Sequence, residues 1–108
     1  ALELEPGSGS ARARSARGRA LHGLARAEQA HGAAPGDLFA RAESDYLAAV
    51  TDEPRAYHRL ALLRGDLGRF EEALAAAEAL RLRVPAMTGT AEAFITETRR
   101  RLAARRED

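Results

Sequence analysis

Residues 57–85, YHRLALLRGDLGRFEEALAAAEALRLRVP, predict two short helices that fold back on each other. Side chains that recur every three to four residues lie on one face of a helix. The first helix has such a stripe at Tyr57, Leu60, Ala61 and Arg64. The second has one at Phe70, Ala73, Leu74, Ala77 and Leu80. Between them, Gly65-Asp66-Leu67-Gly68 predicts a turn, and Pro85 marks the point where the second helix must end.

These residues resemble a tetratricopeptide repeat (TPR) of bacterial type. The family signature, of about 34 residues, is W-x2-L-G-x2-Y, then A-x3-F, then P. The chain carries Tyr57-x2-Leu60-Ala61-x2-Arg64, then Gly68-Arg69-Phe70, Ala73-x3-Ala77 and Pro85. The resemblance implies an all-α, TPR-like superhelix of helical hairpins that serves as a protein- or peptide-binding scaffold without catalytic activity.

The spacing of the second helix recurs earlier in the chain. Ala42, the first residue of Ala42-x3-Tyr46, precedes Pro54 by twelve residues. Ala73, the first residue of Ala73-x3-Ala77, precedes Pro85 by the same number. A further first-helix pattern, Leu21-x2-Leu24-Ala25-x2-Glu28, precedes it. We therefore expect helices at about 11–31, 37–50 and 90–105 besides the two in residues 57–85.

The expected organisation has four parts. Residues 1–10 are the tail of an upstream repeat and a flexible break, 11–54 a first irregular repeat, 54–87 a second repeat, and 88–108 a capping helix with a basic tail. The first part implies that the chain is a piece of a larger protein, because Ala1 to Pro6 resembles the end of a family second helix. The Arg-rich start of the first helix is expected to project into water, with packing beginning near Leu21.

Small residues are expected where the helices approach each other most closely. In a repeat, neither helix of a pair can bury its apolar stripe alone, so helices must stack. The predicted close contacts are Ala25, Ala42, Ala61 and Ala73. The rings expected to fill the wider gaps are Phe39, Tyr46, Tyr57 and Phe70. On the last helix, the predicted inward face is Ala91, Phe94, Ile95, Thr98 and Leu102, with the arginines mostly toward solvent.

Composition narrows the classes of function. The 108 residues carry a net charge of +1, and all 17 basic residues are Arg. This balance disfavours nucleic acid as a partner, and no apolar run is long enough to span a membrane. The absence of Cys and of a signal peptide favours the cytoplasm. No nucleophile–base pair, carboxylate pair or metal-ligand spacing stands out, so we expect neither an enzyme nor a cofactor or metal site.

The resemblance implies a ligand groove formed by the first helices of successive repeats. The corresponding positions are Arg19, His22, Arg26, Gln29, Arg55, His58, Arg59, Leu62 and Asp66. This set is basic, and Arg binds carboxylates in a bidentate manner, so an acidic peptide is the expected partner. Chaperone-binding members of the family hold a terminal carboxylate with Lys and Asn, and this chain has neither residue.

Other interpretations remain open from the sequence. The groove arginines could be an ordinary solvated helix face. The chain could be a self-association module of a multidomain regulatory protein, in which one edge pairs with a second copy. A third interpretation, a nucleic-acid-binding accessory, depends on the Arg clusters at 12–19 and 99–106. The three histidines, His22, His31 and His58, are expected to be exposed or hydrogen-bonded rather than metal-bound.

Overall fold

A computed structural model describes residues 8–107 of the chain, which are helical throughout apart from short connections. The helices are α1 (Ser8–Ala30), α2 (Gly36–Ala49), α3 (Ala56–Asp66), α4 (Phe70–Arg83) and α5 (Thr88–Glu107). A 3₁₀ turn, Pro85–Met87, precedes α5. No strand occurs between residues 8 and 107, so the predicted all-α class is confirmed.

The chain forms two compact units, which divide after Ala56. The first contains α1 and α2, and the second contains α4, α5 and nearly all of α3. The predicted tail of an upstream repeat, residues 1–6, lies outside the described residues. Residues 8–10, predicted as part of a flexible break, belong to α1 instead.

Helices α1 and α3 end in the same way. After α1, Gly32 has φ of +84°, its N–H donates to Gln29 O (3.0 Å), and the N–H of Ala33 donates to Glu28 O (2.9 Å). After α3, Gly68 has φ of +75°, and equivalent bonds join Gly68 N to Gly65 O (3.1 Å) and Arg69 N to Arg64 O (3.0 Å). Both are Schellman endings, which place glycine in the left-handed region that other residues rarely adopt.

The predicted turn at Gly65–Gly68 is therefore shorter than expected. Helix α3 continues through Asp66, so Gly65 is helical and only Leu67, Gly68 and Arg69 connect it to α4. A Cβ at Gly65 would lie 3.6 Å from the ring of Phe94, in ordinary van der Waals contact. Neither a positive φ nor a close contact therefore requires glycine at position 65.

In the first unit, α1 packs against α2, and its first half also carries buried residues. The expectation that its Arg-rich first half projects into water is wrong, because Ala11 is only 4% exposed and Gly18 lies against Tyr46. Ala11, Gly18 and Ala25 recur every seven residues and so share one face of the helix. The buried residues of this face are Ala11, Gly18 and Ala25 together with His22, whereas Leu21, near which packing was expected to begin, is half-buried and Leu24 is 50% exposed.

The second unit is centred on α4 and α5. Ala73, Ala76, Ala77 and Leu80 of α4 are buried, and so are Ala91, Ile95, Thr98 and Leu102 of α5. This confirms most of the inward face predicted for the last helix. Phe94 is half-buried rather than enclosed, as are Tyr57 and Phe70, which were predicted to fill gaps between helices.

One arginine of α5 departs from the expected solvent-facing position. Nη1 of Arg105 donates a hydrogen bond to the carbonyl oxygen of Gly68 (2.8 Å). Its guanidinium also lies over the ring of Phe70, 5.0 Å from the centroid, a cation–π geometry. Arg105 therefore joins the end of α5 to the connection between α3 and α4.

Candidate functional site

The nine residues predicted to form a groove are divided between the two units. In the first unit, Arg19, Arg26 and Gln29 of α1 are exposed, as is Arg55 in the turn before α3. In the second unit, α3 carries His58, Arg59 and Leu62, which are half-buried, and Asp66, which is exposed. The prediction that these residues form one groove stays a prediction.

His22 does not lie on an exposed surface as predicted. It is 6% exposed, with its ring 5.9 Å from that of Phe39 and 6.3 Å from that of Tyr46, both in edge-on geometry. The reason is helical spacing, because His22 lies on the same face of α1 as Gly18 and Ala25. His22 therefore contributes to the packing of α1 on α2 and is removed from the candidate contact residues.

His58 has a different environment on α3. Partial burial lowers the pKa of its imidazole, because it disfavours the charged form, and the positive charge of Arg59 lowers it further. The imidazole is thus less prone to carry a charge than an exposed histidine. We accordingly count Arg59, and not His58, as the cation that this part of α3 can offer a ligand.

A bidentate pair links charged side chains of α1 and α2. Nε of Arg17 donates to Oδ2 of Asp45 (2.8 Å), and Nη2 donates to Oδ1 (2.7 Å). Asp45 is buried, whereas the Arg17 side chain is largely exposed. Parallel N–H···O bonds of this kind fix both the distance and the orientation of the two groups. The pair therefore fixes the register of the two helices at this point.

Beside this pair the surface has a shallow, open depression of about 230 Å³. Its lining consists of Arg17, Leu21, Arg41, Ser44 and Asp45. None of these five residues belongs to the predicted groove. They come from two helices, so their proximity depends on how α1 and α2 align, which the sequence pattern of either helix does not determine.

The pKa of Asp45 lies below its ordinary value. The hydrogen bonds from Arg17 are the main cause; burial acts in the opposite direction, and the charges of Arg17, Arg14 and Arg41 lower the pKa further. Because the pKa is lower in the folded state, ionised Asp45 stabilises the fold above the unfolded-state pKa of about 4. That contribution is lost as pH falls through the folded-state pKa.

This effect predicts an acid-sensitive step in stability. We expect the thermal midpoint of the full chain to fall between about pH 5 and pH 3, and Asp45→Asn to reduce that dependence. Melts followed by circular dichroism across this pH range measure it, with the exposed Asp52→Asn as control. An unchanged pH dependence in Asp45→Asn, equal to that of the parent and of the control, would contradict the assignment.

The arginine cluster of α5 is partly neutralised within its own helix. Glu97 accepts hydrogen bonds from Arg100 (2.6 Å) and Arg101 (3.2 Å), which lower the pKa of its carboxyl to about 2. A second depression, of about 380 Å³, lies between α4 and α5. Its lining is of mixed charge: Glu78, Arg81, Glu92, Ile95, Thr96 and Arg99. Arg81 is held there by Glu78, at 2.6 Å.

No protein-family model, curated protein or solved structure matches this chain in the comparisons with known proteins. Among residues 8–107, no helix is both long and apolar enough to cross a lipid bilayer. The same residues contain no group of three or more His, Asp or Glu side chains arranged to hold a metal ion.

Proposed function

We propose that the chain is a TPR-like helical-repeat module that binds an acidic protein or peptide segment and carries out no chemistry of its own. The setting proposed for it is a larger cytoplasmic protein. The fold component of this proposal is supported by the hairpin of α1 and α2, by the matching Schellman endings of α1 and α3, and by buried alanines at all four expected close contacts.

The binding component is supported by one observation, a set of arginines in α1, α2, α3 and the turn before α3 for which residues 11–106 supply no acidic partner. Within residues 11–106, the following have neither a hydrogen bond nor an ion pair: Arg14, Arg19, Arg41, Arg55 and Arg59. An exposed guanidinium without an internal partner can bind a carboxylate of another chain through two parallel N–H···O bonds. Most arginines of α4 and α5, in contrast, are already paired.

A titration with three matched peptides tests the proposal. The probes are fluorescein-labelled peptides of one sequence in which the acidic positions hold Glu, Gln or Lys, and fluorescence anisotropy gives each affinity for the full chain. We expect the Glu peptide to bind at least about tenfold more tightly than the Gln peptide, and the Lys peptide to show no binding. A tenfold difference corresponds to about 1.4 kcal/mol, which one or two charge-assisted hydrogen bonds supply.

The control is Arg99→Glu/Arg106→Glu, which removes two arginines of α5. Within residues 11–106, neither residue forms a hydrogen bond or an ion pair, so the change alters net charge without breaking an observed contact. The proposal predicts that affinity for the Glu peptide changes by less than about threefold. Equal binding of the Glu and Lys peptides, or complete loss in the control, would contradict it.

A further inference from the structure

Three guanidinium groups surround a single carboxylate on the surface of the first unit. Arg17 holds Asp45 through two hydrogen bonds, and Arg41 lines the same depression. Arg14 precedes Arg17 by three residues and therefore lies on the same face of α1. The charges of Arg14 and Arg41 are both felt at the Asp45 carboxylate. Three positive charges thus face one negative charge, which leaves an excess of two.

The excess charge is available to a ligand. Within residues 11–106, Arg14 and Arg41 form no hydrogen bond and no ion pair with any other side chain, and both are exposed. Arg17 differs, because its Nε and Nη2 already donate to the Asp45 carboxylate. The bidentate pair therefore holds the centre of the cluster in place, while Arg14 and Arg41, which no side chain of residues 11–106 engages in a hydrogen bond or ion pair, can bind a new anion.

An apolar surface continues from this cluster along α1. Leu21 lines the depression and is half-buried, and Leu24 is half-exposed. Arg14, Arg17, Leu21 and Leu24 are separated by three, four and three residues, so they lie on one face of the helix. The face is distinct from that of Arg19 and Arg26, the α1 arginines of the predicted groove.

We propose that this face, the Arg14–Arg17–Arg41 patch with Leu21 and Leu24, binds a peptide segment that has an acidic residue next to an apolar one. The inference rests on the proposed function and specifies where in the first unit the acidic partner is bound. The carboxylate pairs with Arg41 and Arg14, and the apolar side chain covers the leucines. A nucleic acid fits less well, because the patch offers no aromatic ring for a base to stack on.

The test compares two double variants of the full chain that lose the same charge. Arg14→Ala/Arg41→Ala removes the free cations of the patch, and Arg19→Ala/Arg55→Ala removes two other unpaired arginines of the same unit. The probe is a fluorescein-labelled peptide of repeated Glu and Leu, with Leu replaced by Ala in a second peptide. Thermal melts of both variants confirm that each remains folded.

The patch proposal predicts at least a tenfold loss of affinity in Arg14→Ala/Arg41→Ala, and less than a threefold loss in Arg19→Ala/Arg55→Ala. It also predicts weaker binding of the peptide without Leu. The reverse order of the two variants would overturn the patch and leave the proposed function standing. Equal losses would show general charge attraction and would also overturn it. Failure of the Glu peptide to bind the parent chain would overturn both proposals.

A competitor resolves the remaining alternative. Single-stranded oligouridylate is added to the complex of the chain with the Glu–Leu peptide at moderate salt. The patch proposal predicts that peptide remains bound at oligouridylate concentrations equal to those of the peptide. If oligouridylate displaces the peptide, and if Arg14→Ala/Arg41→Ala weakens oligouridylate binding as much as peptide binding, the patch is a phosphate site. That result would overturn the proposal of a peptide partner.

Discussion

Tyr46→Ala is expected to lower the free energy of unfolding by about 3–5 kcal/mol, the range for removing a fully buried aromatic ring. Tyr46 is 0% exposed. Its ring lies next to Gly18, and its centroid is 6.3 Å from that of the His22 ring. Its loss would leave a cavity at the centre of the interface between α1 and α2. Because a domain is stable by only about 5–15 kcal/mol, this loss would be a large part of the free energy of unfolding.

Urea unfolding followed by far-ultraviolet circular dichroism measures the change. The matched control is Leu47→Ala on the same helix, where the side chain is 47% exposed and truncation should alter stability by less than about 1 kcal/mol. If Tyr46→Ala were no more destabilising than Leu47→Ala, the ring would not be enclosed between the helices, and the arrangement of the first unit would be wrong.

Two glycines of α1 should respond in opposite ways to the addition of a methyl group. A Cβ at Gly18 would lie 2.8 Å from Cε1 of Tyr46, which is too close, so the ring, which is 0% exposed, would have to shift. A Cβ at Gly23 would have no atom within 4 Å. Both substitutions gain about 1 kcal/mol of helix propensity, but only Gly18→Ala adds the cost of overpacking, about 1–3 kcal/mol.

We therefore expect Gly23→Ala to be more stable than the parent chain, and Gly18→Ala to be less stable than Gly23→Ala by about 1–3 kcal/mol. Chemical denaturation of the three proteins under one condition gives both differences. The gain in helix propensity is the same in both variants. The difference between their free energies of unfolding therefore measures the cost of the contact with Tyr46. Equal stabilisation by both substitutions would mean that α1 does not approach α2 at Gly18.

The helical fold could be predicted because its signals are local. Periodicity identified the close contacts, and Ala25, Ala42, Ala61 and Ala73 are all buried. The end of the first helix, predicted at about residue 31, is also close to the observed end of α1 at Ala30. These features require only the spacing of residues within a helix.

The sequence did not predict features whose pattern within one helix is weak or which depend on the position of a second helix. The first half of α1 has no large apolar residue, so its packing was missed, although the seven-residue spacing of Ala11, Gly18 and Ala25 indicated it. His22 was placed on an exposed face because the pattern was transferred from the family rather than read from that spacing. The Arg17–Asp45 pair spans 28 residues and depends on helix register, which composition does not reveal.

The most direct test of the proposed peptide binding is an NMR titration of the full chain with the Glu–Leu peptide, in which the backbone amide signals are followed. We expect a saturable 1:1 change concentrated on the exposed faces of α1 and α2 around Arg14, Arg17 and Arg41, with the signals of α5 unchanged. No change at saturating peptide, or changes centred on the arginines of α5, would contradict the proposal that the arginines of the α1–α2 hairpin bind an acidic partner.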